Sequence, residues 1–184
     1  MKTMKYLKKI GRKLLKRKTI SETSKCRLSL NKFCKGDGID LGYGGDPIVP
    51  TAICMDLPDS YAKYRNNPQH LHGDAKSLFW FNDNVMDYVY SSHVLEDFHD
   101  TKSVLSEWIR VIKPGGSLVL FLPDEQTYRN HCKKLGKPSN INHIHDHFSL
   151  TFVKDILNEL NNNEIIHEKY PSNIYSFELV IKKL

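Results

Sequence analysis

GIDLGYGGDP, residues 38–47, is the stretch that decides the fold of this chain of 184 residues. A short apolar run contains an acid, Asp40, and then breaks into three closely spaced glycines. Gly42, Gly44 and Gly45 can adopt positive φ or let a ligand lie against bare backbone, which residues with a Cβ resist. The pattern predicts a β-strand that leads into a ligand-binding turn, with Asp40 placed to accept hydrogen bonds from a polar ligand.

The turn differs from the glycine-rich fingerprint of dinucleotide-binding proteins, in which a helix N-terminus binds a diphosphate. Pro47 stands at the third glycine position of that fingerprint and has no backbone N–H to donate. Asp46 would place a negative charge beside a negative phosphate. Both residues are compatible with S-adenosylmethionine, because that cofactor has no phosphate and carries a sulfonium cation.

Further carboxylates follow the next predicted strands. Asp56 ends a short apolar run at residues 52–55, where a carboxylate can bind both hydroxyls of a ribose. Asp74 follows within HGDA, spaced to reach an adenine amino group. The elements predicted after it are a strand at 87–93, a helix at 103–112, a turn at 113–116 (KPGG) and an apolar strand at 117–122. This alternation predicts a doubly wound α/β sheet with its ligand site along the carboxyl edge.

The ordered series GIDLGYGG, AICMDL, HGDAKSL, DYVYSSHVLED and EWIRVIKPGGSLVLFLPD resembles the motif set of class I S-adenosylmethionine-dependent methyltransferases. It resembles the small subgroup associated with polysaccharide and lipopolysaccharide synthesis, and the resemblance to the family is close over residues 36–124. The resemblance implies a Rossmann-like, seven-stranded sheet with an antiparallel last strand, and S-adenosylmethionine as cofactor. The cofactor-binding residues that it implies are Asp40, Gly42 and Gly44 at the methionine end, Asp56 at the ribose, Asp74 and Ala75 at the adenine, and the segment from Ser91 to His93 beside the methyl group.

The first crossover of this chain is short, since only 16 residues separate Asp40 from Asp56. Most relatives have several more residues here and a full helix between the strands. Pro47 and Pro50 interrupt the stretch, and no apolar stripe of helical period fits it. We therefore expect a single turn or an extended loop, which covers the methionine end of the cofactor less completely. The alternative is a degenerate fold that no longer binds cofactor.

The second half of the chain predicts helices at 126–136 and 149–161 and two final strands at 164–170 and 175–181. Three alternating histidines lie in HIHDH, residues 143–147, and would share one face of an extended segment. In the family that the chain resembles, this loop faces the transferred methyl group. We expect it to bind substrate or supply a general base, and structural hydrogen bonding is the alternative. No metal is predicted, because a zinc site needs further ligands on a rigid frame.

If the acceptor is a hydroxyl, its high pKa calls for a general base. The candidates are His145 first, then His147, His93 and Asp124.

Positive charge is concentrated at the N-terminus. The chain has a net charge of +6, and residues 1–20 contain nine lysines and arginines and no acid. Met4, Leu7, Ile10 and Leu14 recur at helical spacing, which predicts a basic amphipathic arm over residues 1–24 before a methyltransferase domain over 25–184. Such an arm can lie on an anionic membrane surface. Nucleic-acid binding is less favoured because the arm has only one aromatic residue, and a solvated tail is the third reading.

The cysteine pattern and the absence of a long apolar run favour a cytoplasmic protein. The four cysteines show no paired spacing, no apolar run approaches the ~18 residues of a membrane span, and no secretory signal is present. With the arm, this indicates a location at the inner membrane face. The expected activity is O-methylation of a glycan or a lipid-linked sugar. The alternatives are methylation of RNA and a non-catalytic scaffold with the cofactor fold.

Overall fold

The structure, a computed structural model, describes residues 20–60 and 67–184. Seven strands form one sheet in the order β3-β2-β1-β4-β5-β7-β6. The strands are β1 (Gly38–Leu41), β2 (Ile53–Asp56), β3 (Leu71–His72), β4 (Met86–Ser92), β5 (Ile112–Pro123), β6 (Asn163–Lys169) and β7 (Ser176–Lys183). The helices in the described residues are α1 (Glu22–Leu30), α2 (Thr101–Val111), α3 (Glu125–Lys134) and α4 (Leu150–Leu160).

The first five strands in chain order are parallel, and β7 pairs antiparallel with both β5 and β6. This confirms the predicted seven-stranded sheet with an antiparallel last strand. Strand β1 lies between β2 and β4, so the chain first builds outward on one side of β1 and then returns to build on the other. In doubly wound sheets the crevice at such a reversal, outside the carboxyl ends of the strands, is where ligands bind.

Helices cover both faces of the sheet. Side chains alternate between the two faces along each strand, so each face contributes apolar side chains to a core of its own. On one face, Leu118 and Leu120 of β5 pack in a core with α2 and α4, including the buried Trp108 and Leu157. On the other face, aromatic and aliphatic side chains of β4 and β5 pack against α1; this second core contains Cys26, Leu30, Tyr88, Tyr90, Val119 and Phe121.

The connection between β1 and β2 contains no helix, which confirms the shortened first crossover. Ile48 from this loop is buried in the second core and takes part of the place of a crossover helix. Its backbone N–H donates to Asp40 Oδ2 at 2.8 Å, so the acid inside β1 anchors the loop.

The predicted turn at residues 113–116 lies within the bounds of β5, which begins at Ile112, earlier than predicted. These residues nevertheless interrupt the pairing of the strand, because Ile112 pairs with Met86 and the next residue of β5 to pair is Ser117, opposite Tyr88. Gly115 adopts φ +83° in the interruption. A glycine accommodates this conformation without the strain that a Cβ would add.

The boundary that the charge pattern places between residues 24 and 25 lies inside α1. Ser21 caps this helix, its Oγ accepting the Ser24 N–H at 3.0 Å, and Cys26 and Leu30 are buried against the sheet. The folded domain therefore includes the whole of α1. The predicted amphipathic helix over residues 4–15 lies outside the described residues. No helix in the described part of the chain is both long and apolar enough to cross a bilayer.

Two glycine substitutions separate backbone strain from steric clash. Gly42 adopts φ +66°, and a Cβ there would lie 2.3 Å from Val94 Cγ2. Gly115 adopts φ +83°, and nothing lies within 4 Å of its Cβ position. Gly115→Ala should lower the free energy of unfolding by about 1–2 kcal/mol from strain alone, and Gly42→Ala by about 2–4 kcal/mol because overpacking adds to it. Urea denaturation measures both values, and equal losses would contradict the clash with Val94.

Candidate active site

A cavity of about 320 Å³ lies at the carboxyl ends of β1 to β4. Its volume is within the range typical of small-ligand pockets. The described residues that line it are Gly42, Asp56, Leu57, Ser60, Gly73, Asp74, Ala75, His93, Val94, Asp97 and Phe98. These residues lie at or just after the carboxyl ends of the four strands. The reversal of strand order at β1 therefore brings together segments that are distant in sequence.

The glycine turn after β1 is fastened to the end of β2. The Gly42 N–H donates to the Met55 carbonyl at 2.9 Å, and the Gly44 N–H donates to Asp56 Oδ2 at 3.0 Å. Asp56 Oδ1 accepts the Leu57 N–H at 2.8 Å. A carboxylate has about four lone-pair sites, so two bonds to backbone orient Asp56 and leave acceptor capacity for ribose hydroxyls.

Asp74 and Ala75, the predicted adenine contacts, also line this cavity. Asp74 Oδ1 accepts the Lys76 N–H at 3.0 Å, which stabilises the turn after β3. The buried Trp108 of α2 donates its indole N–H to the Ala75 carbonyl at 2.7 Å. The core thus fixes the backbone that would meet the base of a nucleoside.

Two of the predicted cofactor ligands, Asp40 and Ser91, are fully buried and do not line the cavity. Ser91 Oγ donates to the Leu41 carbonyl at 3.1 Å, a contact between β4 and β1. Burial raises the pKa of Asp40 well above its ordinary range, and the hydrogen bond from Ile48 lowers it only in part. Both side chains therefore hold the backbone around the cavity, since Ser91 joins β4 to β1 and Asp40 binds the loop after β1. Gly44, a third predicted ligand, is not among the lining residues either, and it contacts the cavity wall through Asp56.

His93 does line the cavity, as the sequence predicts for the segment beside the methyl group. It adopts φ +54° directly after β4, and its Nε2 lies 3.1 Å from Ser176 Oγ and 3.4 Å from Glu22 Oε2. Burial lowers the pKa of His93 to about 4. The ring is therefore neutral near pH 7 and offers the cavity a dipole rather than a positive charge.

The three loop histidines do not share one face, because residues 141–149 form turns rather than an extended strand. His147 is exposed to solvent, whereas His143 is buried against Glu125, with Nδ1 2.7 Å from Glu125 Oε2. None of the three lines the cavity.

His145 fastens this loop to the cavity wall. Its Nε2 lies 2.7 Å from the Phe98 carbonyl and 3.2 Å from Thr101 Oγ1, and its ring contacts Phe148 and Phe152. Phe98 itself lines the cavity. With Nε2 bonded to a carbonyl, His145 is placed to position Phe98, and its role as general base stays a prediction.

Asp124, the remaining candidate base, caps α3. Its Oδ1 accepts the Thr127 N–H at 3.0 Å and the Thr127 hydroxyl at 2.6 Å. It is not among the residues that line the cavity.

The sequence analysis missed Glu96, Asp97 and Glu125. Asp97 lines the cavity, and its Oδ1 is buried without a hydrogen bond from any described residue. Burial raises the pKa of Asp97. The signal was present for Glu96 and Asp97, because these acids follow β4 just as Asp56 follows β2 and Asp74 follows β3. Nothing in the sequence around Glu125 indicates its position.

The chemistry of the lining fits S-adenosylmethionine. Asp56, Asp74 and Asp97 provide three carboxylates, and the lining residues in the described part of the chain include no lysine or arginine. Such a wall repels a diphosphate and favours a ligand with a cationic sulfonium and ribose hydroxyls.

Comparison with known proteins agrees with this geometry. Residues 48–120 match the family model described as "Methyltransferase domain". Over 73 residues the chain is 40% identical to the demethylmenaquinone methyltransferase of Staphylococcus haemolyticus. That match covers 40% of this chain and only 30% of the length of the relative. A second match, to the enzyme of the same name from Staphylococcus epidermidis, is 43% identical over 61 residues and covers 33% of this chain and 25% of the relative.

Solved structures show the same fold. A SAM-dependent methyltransferase from Archaeoglobus fulgidus superposes with a TM-score of 0.67 at 16% identity, covering 88% of this chain and 92% of that one. One from Aquifex aeolicus has a TM-score of 0.59 at 16% identity, covering 94% of this chain and 89% of that one. The fold of the chain is therefore that of the class I S-adenosylmethionine-dependent methyltransferases.

The buried Asp40 should make the stability of the protein depend on pH. A carboxyl whose pKa is raised by folding destabilises the native state as pH rises from its unfolded pKa, about 3.9, through its folded pKa. Asp40→Asn resembles the protonated acid, so it should raise the melting temperature at pH 8 and change it little at pH 4. Thermal melts against pH measure this, with Asp155→Asn on the exposed face of α4 as control. A lower melting temperature for Asp40→Asn at pH 8 would contradict a raised pKa of Asp40.

Proposed function

We propose that this protein is an S-adenosylmethionine-dependent methyltransferase that binds its cofactor in the cavity at the ends of β1 to β4. The observation that carries the proposal is the carboxylate-lined cavity at the strand reversal, within a fold and a sequence segment typical of methyltransferases. The bound cofactor supplies an electrophilic methyl group on a cationic sulfur. The chain itself supplies alignment of the two reactants and exclusion of water.

Three segments of the chain would align the cofactor. Asp56, oriented by Gly44 and Leu57, binds the ribose hydroxyls. The backbone at Asp74 and Ala75 meets the adenine, and the open turn at Gly42 leaves room for the methionine end. Each of these groups is fixed by backbone hydrogen bonds or by the core, so little ordering remains to be done when the ligand binds.

The acceptor would enter beside the segment after β4. His93 and Asp97 line this part of the cavity, and the free Oδ1 of Asp97 can accept a hydrogen bond from an acceptor hydroxyl. Such a bond orients the nucleophilic oxygen toward the methyl group. His145 does not line the cavity; it positions Phe98, which forms the adjoining part of the cavity wall.

For the acceptor, we propose a hydroxyl of a glycan or of a lipid-linked sugar. Residues 1–19, which are outside the described residues, carry nine positive charges and would concentrate the enzyme at an anionic membrane where such acceptors lie. A quinone-type ring is the second candidate, because the curated relatives are named demethylmenaquinone methyltransferases. RNA remains the alternative for the same basic segment, and a scaffold would bind cofactor without turnover.

Replacement of Asp56 tests the cofactor site. Asp56→Ala should raise the Kd of S-adenosylmethionine by about 10–100-fold, since hydrogen bonds to a charged group contribute about 1.5–3 kcal/mol. Isothermal titration calorimetry measures the Kd, and circular dichroism checks that the turn still folds without the Gly44 contact. Asp155→Asn, which removes an exposed carboxylate, is the control and should bind normally. Unchanged affinity in Asp56→Ala would remove Asp56 from the site.

Methyl transfer from labelled cofactor identifies the acceptor class. The full chain is incubated with lipid-linked oligosaccharide, with demethylmenaquinone or with total RNA, and the label is followed in each fraction. We expect incorporation into the glycan fraction as a methyl ether. Label in the quinone would select the second candidate, and label in RNA would overturn both. Cofactor binding with no transfer to any fraction would favour the scaffold.

A further inference from the structure

A cluster of three potential metal ligands lies beside the cavity. Glu96 and Asp97 belong to the single helical turn Leu95–Asp97 that follows β4, and His143 comes from the loop between α3 and α4. Each side chain offers one ligand atom, and these atoms all lie within 4.8 Å of one another. The cluster contains two carboxylates and one imidazole, and the function proposed above uses only Asp97.

Three carboxylate oxygens of this cluster, both from Glu96 and one from the half-buried Asp97, are buried without a hydrogen-bond donor among the described residues. Glu96 is 0% exposed, and neither of its oxygens accepts a hydrogen bond from any described residue. Asp97 Oδ1 is in the same condition. When ionised, three orphaned carboxylate oxygens at one place are strongly unfavourable in a protein interior, so protons or a bound cation must neutralise them.

The imidazole of His143 is oriented as a metal ligand would be. Its Nδ1 lies 2.7 Å from Glu125 Oε2, and Glu125 Oε1 in turn accepts a hydrogen bond from Arg129 Nε at 2.6 Å. This arrangement turns Nε2 toward Glu96. Metal-binding histidines almost always bond their second nitrogen to a carboxylate or carbonyl in this manner.

The distance between His143 Nε2 and Glu96 Oε1 is 3.4 Å. That is too long for a charge-assisted hydrogen bond, which spans about 2.7–2.9 Å. It matches the separation of two tetrahedral ligands that each lie about 2.1 Å from one ion, which is ~3.4 Å. Asp97 offers a third ligand atom within 4.8 Å of the other two.

The surrounding charges leave the cluster short of positive charge. From β4, His93 Nδ1 lies 3.6 Å from Glu96 Oε1, and from α3, Arg129 pairs with Glu125 and Asp146. From α1, Lys25 pairs with Glu22. No lysine or arginine within residues 20–60 and 67–184 forms an ion pair with Glu96 or Asp97.

We propose that Glu96, Asp97 and His143 bind one divalent cation of the Mn²⁺ or Zn²⁺ type, with Glu125 orienting His143. The mixture of carboxylate and imidazole ligands suits these ions. Because Asp97 also lines the cavity, a cation held by these residues would lie beside the acceptor, where it would bind an acceptor oxygen and lower the pKa of its hydroxyl. This catalytic role rests on the proposed function, whereas binding of the cation does not.

The site differs from the histidine pattern considered in the sequence analysis, in which no metal is predicted. Only His143 of the three loop histidines takes part, and its partners are the acids after β4. The rival arrangement without metal is a proton held within the cluster of Glu96, His143 and Glu125 in place of the ion.

Binding of the metal alone tests the site. Tag-free full-length protein is stripped with EDTA and dialysed, then titrated with MnCl₂ and separately with ZnCl₂, without cofactor or acceptor. We expect saturable binding of one ion per chain and a rise in melting temperature of about 5–10 °C at 100 times the Kd. Bound Mn²⁺ should lose its sharp six-line electron paramagnetic resonance signal.

Four variants and a control assign the binding to these residues. Glu96→Gln, Asp97→Asn and His143→Asn should abolish saturable binding and the thermal shift, and Glu125→Gln should weaken binding by about 10–100-fold. Asp155→Asn should bind as the wild type does. Glu96→Gln is isosteric and removes a buried charge, so its metal-free form should melt no lower than the wild type.

Saturable binding that survives in Glu96→Gln and in Asp97→Asn would overturn the proposal, because the ion would then lie elsewhere. No binding of either ion by folded wild-type protein would overturn it in favour of a proton held within the cluster. Calorimetry with S-adenosylmethionine on the same metal-free sample separates these results from failure of the proposed function.

Discussion

The reversal of strand order at β1 is the constraint on which the site depends. Strand β1 is hydrogen-bonded to β2 on one side and to β4 on the other, so the segments leaving these strands diverge at their carboxyl ends. The crevice between them receives Gly42 from one side and Val94 and Asp97 from the other. A residue with a Cβ at position 42 would meet Val94 directly, so the glycine permits the close approach of the two walls.

The short first crossover changes how this crevice is supported. A helix between β1 and β2 would normally cover one face of the sheet, and here α1 and the loop around Ile48 take that position. The buried Asp40 fastens the loop through one backbone hydrogen bond. The resemblance implies that Asp40 contacts the cofactor. In this structure its carboxylate holds the loop that stands where relatives have a helix.

Negative charge is the chemical character of the site. Asp56 and Asp74 have backbone donors that satisfy part of their hydrogen-bonding capacity, whereas Glu96 and Asp97 retain oxygens that no described residue satisfies. The first pair thus suits hydroxyl and amino groups of a nucleoside. The second pair, completed by His143 and its partner Glu125, suits a cation. Cofactor and metal would then occupy adjoining parts of one crevice, separated by Asp97.

The sequence by itself determined the sheet, the shortened crossover and the positions of Asp56, Asp74 and Ala75, because strand periodicity and strand-terminal acids are local signals. It did not show that β5 begins at Ile112, before KPGG, because that start depends on the pairing of Ile112 with Met86 of β4. Only the tertiary structure decided the contacts and the exposure of the three loop histidines. His143 meets Glu125, His145 meets the Phe98 carbonyl, and His147 is exposed to solvent. Contacts of the loop with α3 and with the segment after β4 decide these environments. Those contacts join residues 18 and 47 positions apart, and no spacing within the loop encodes them.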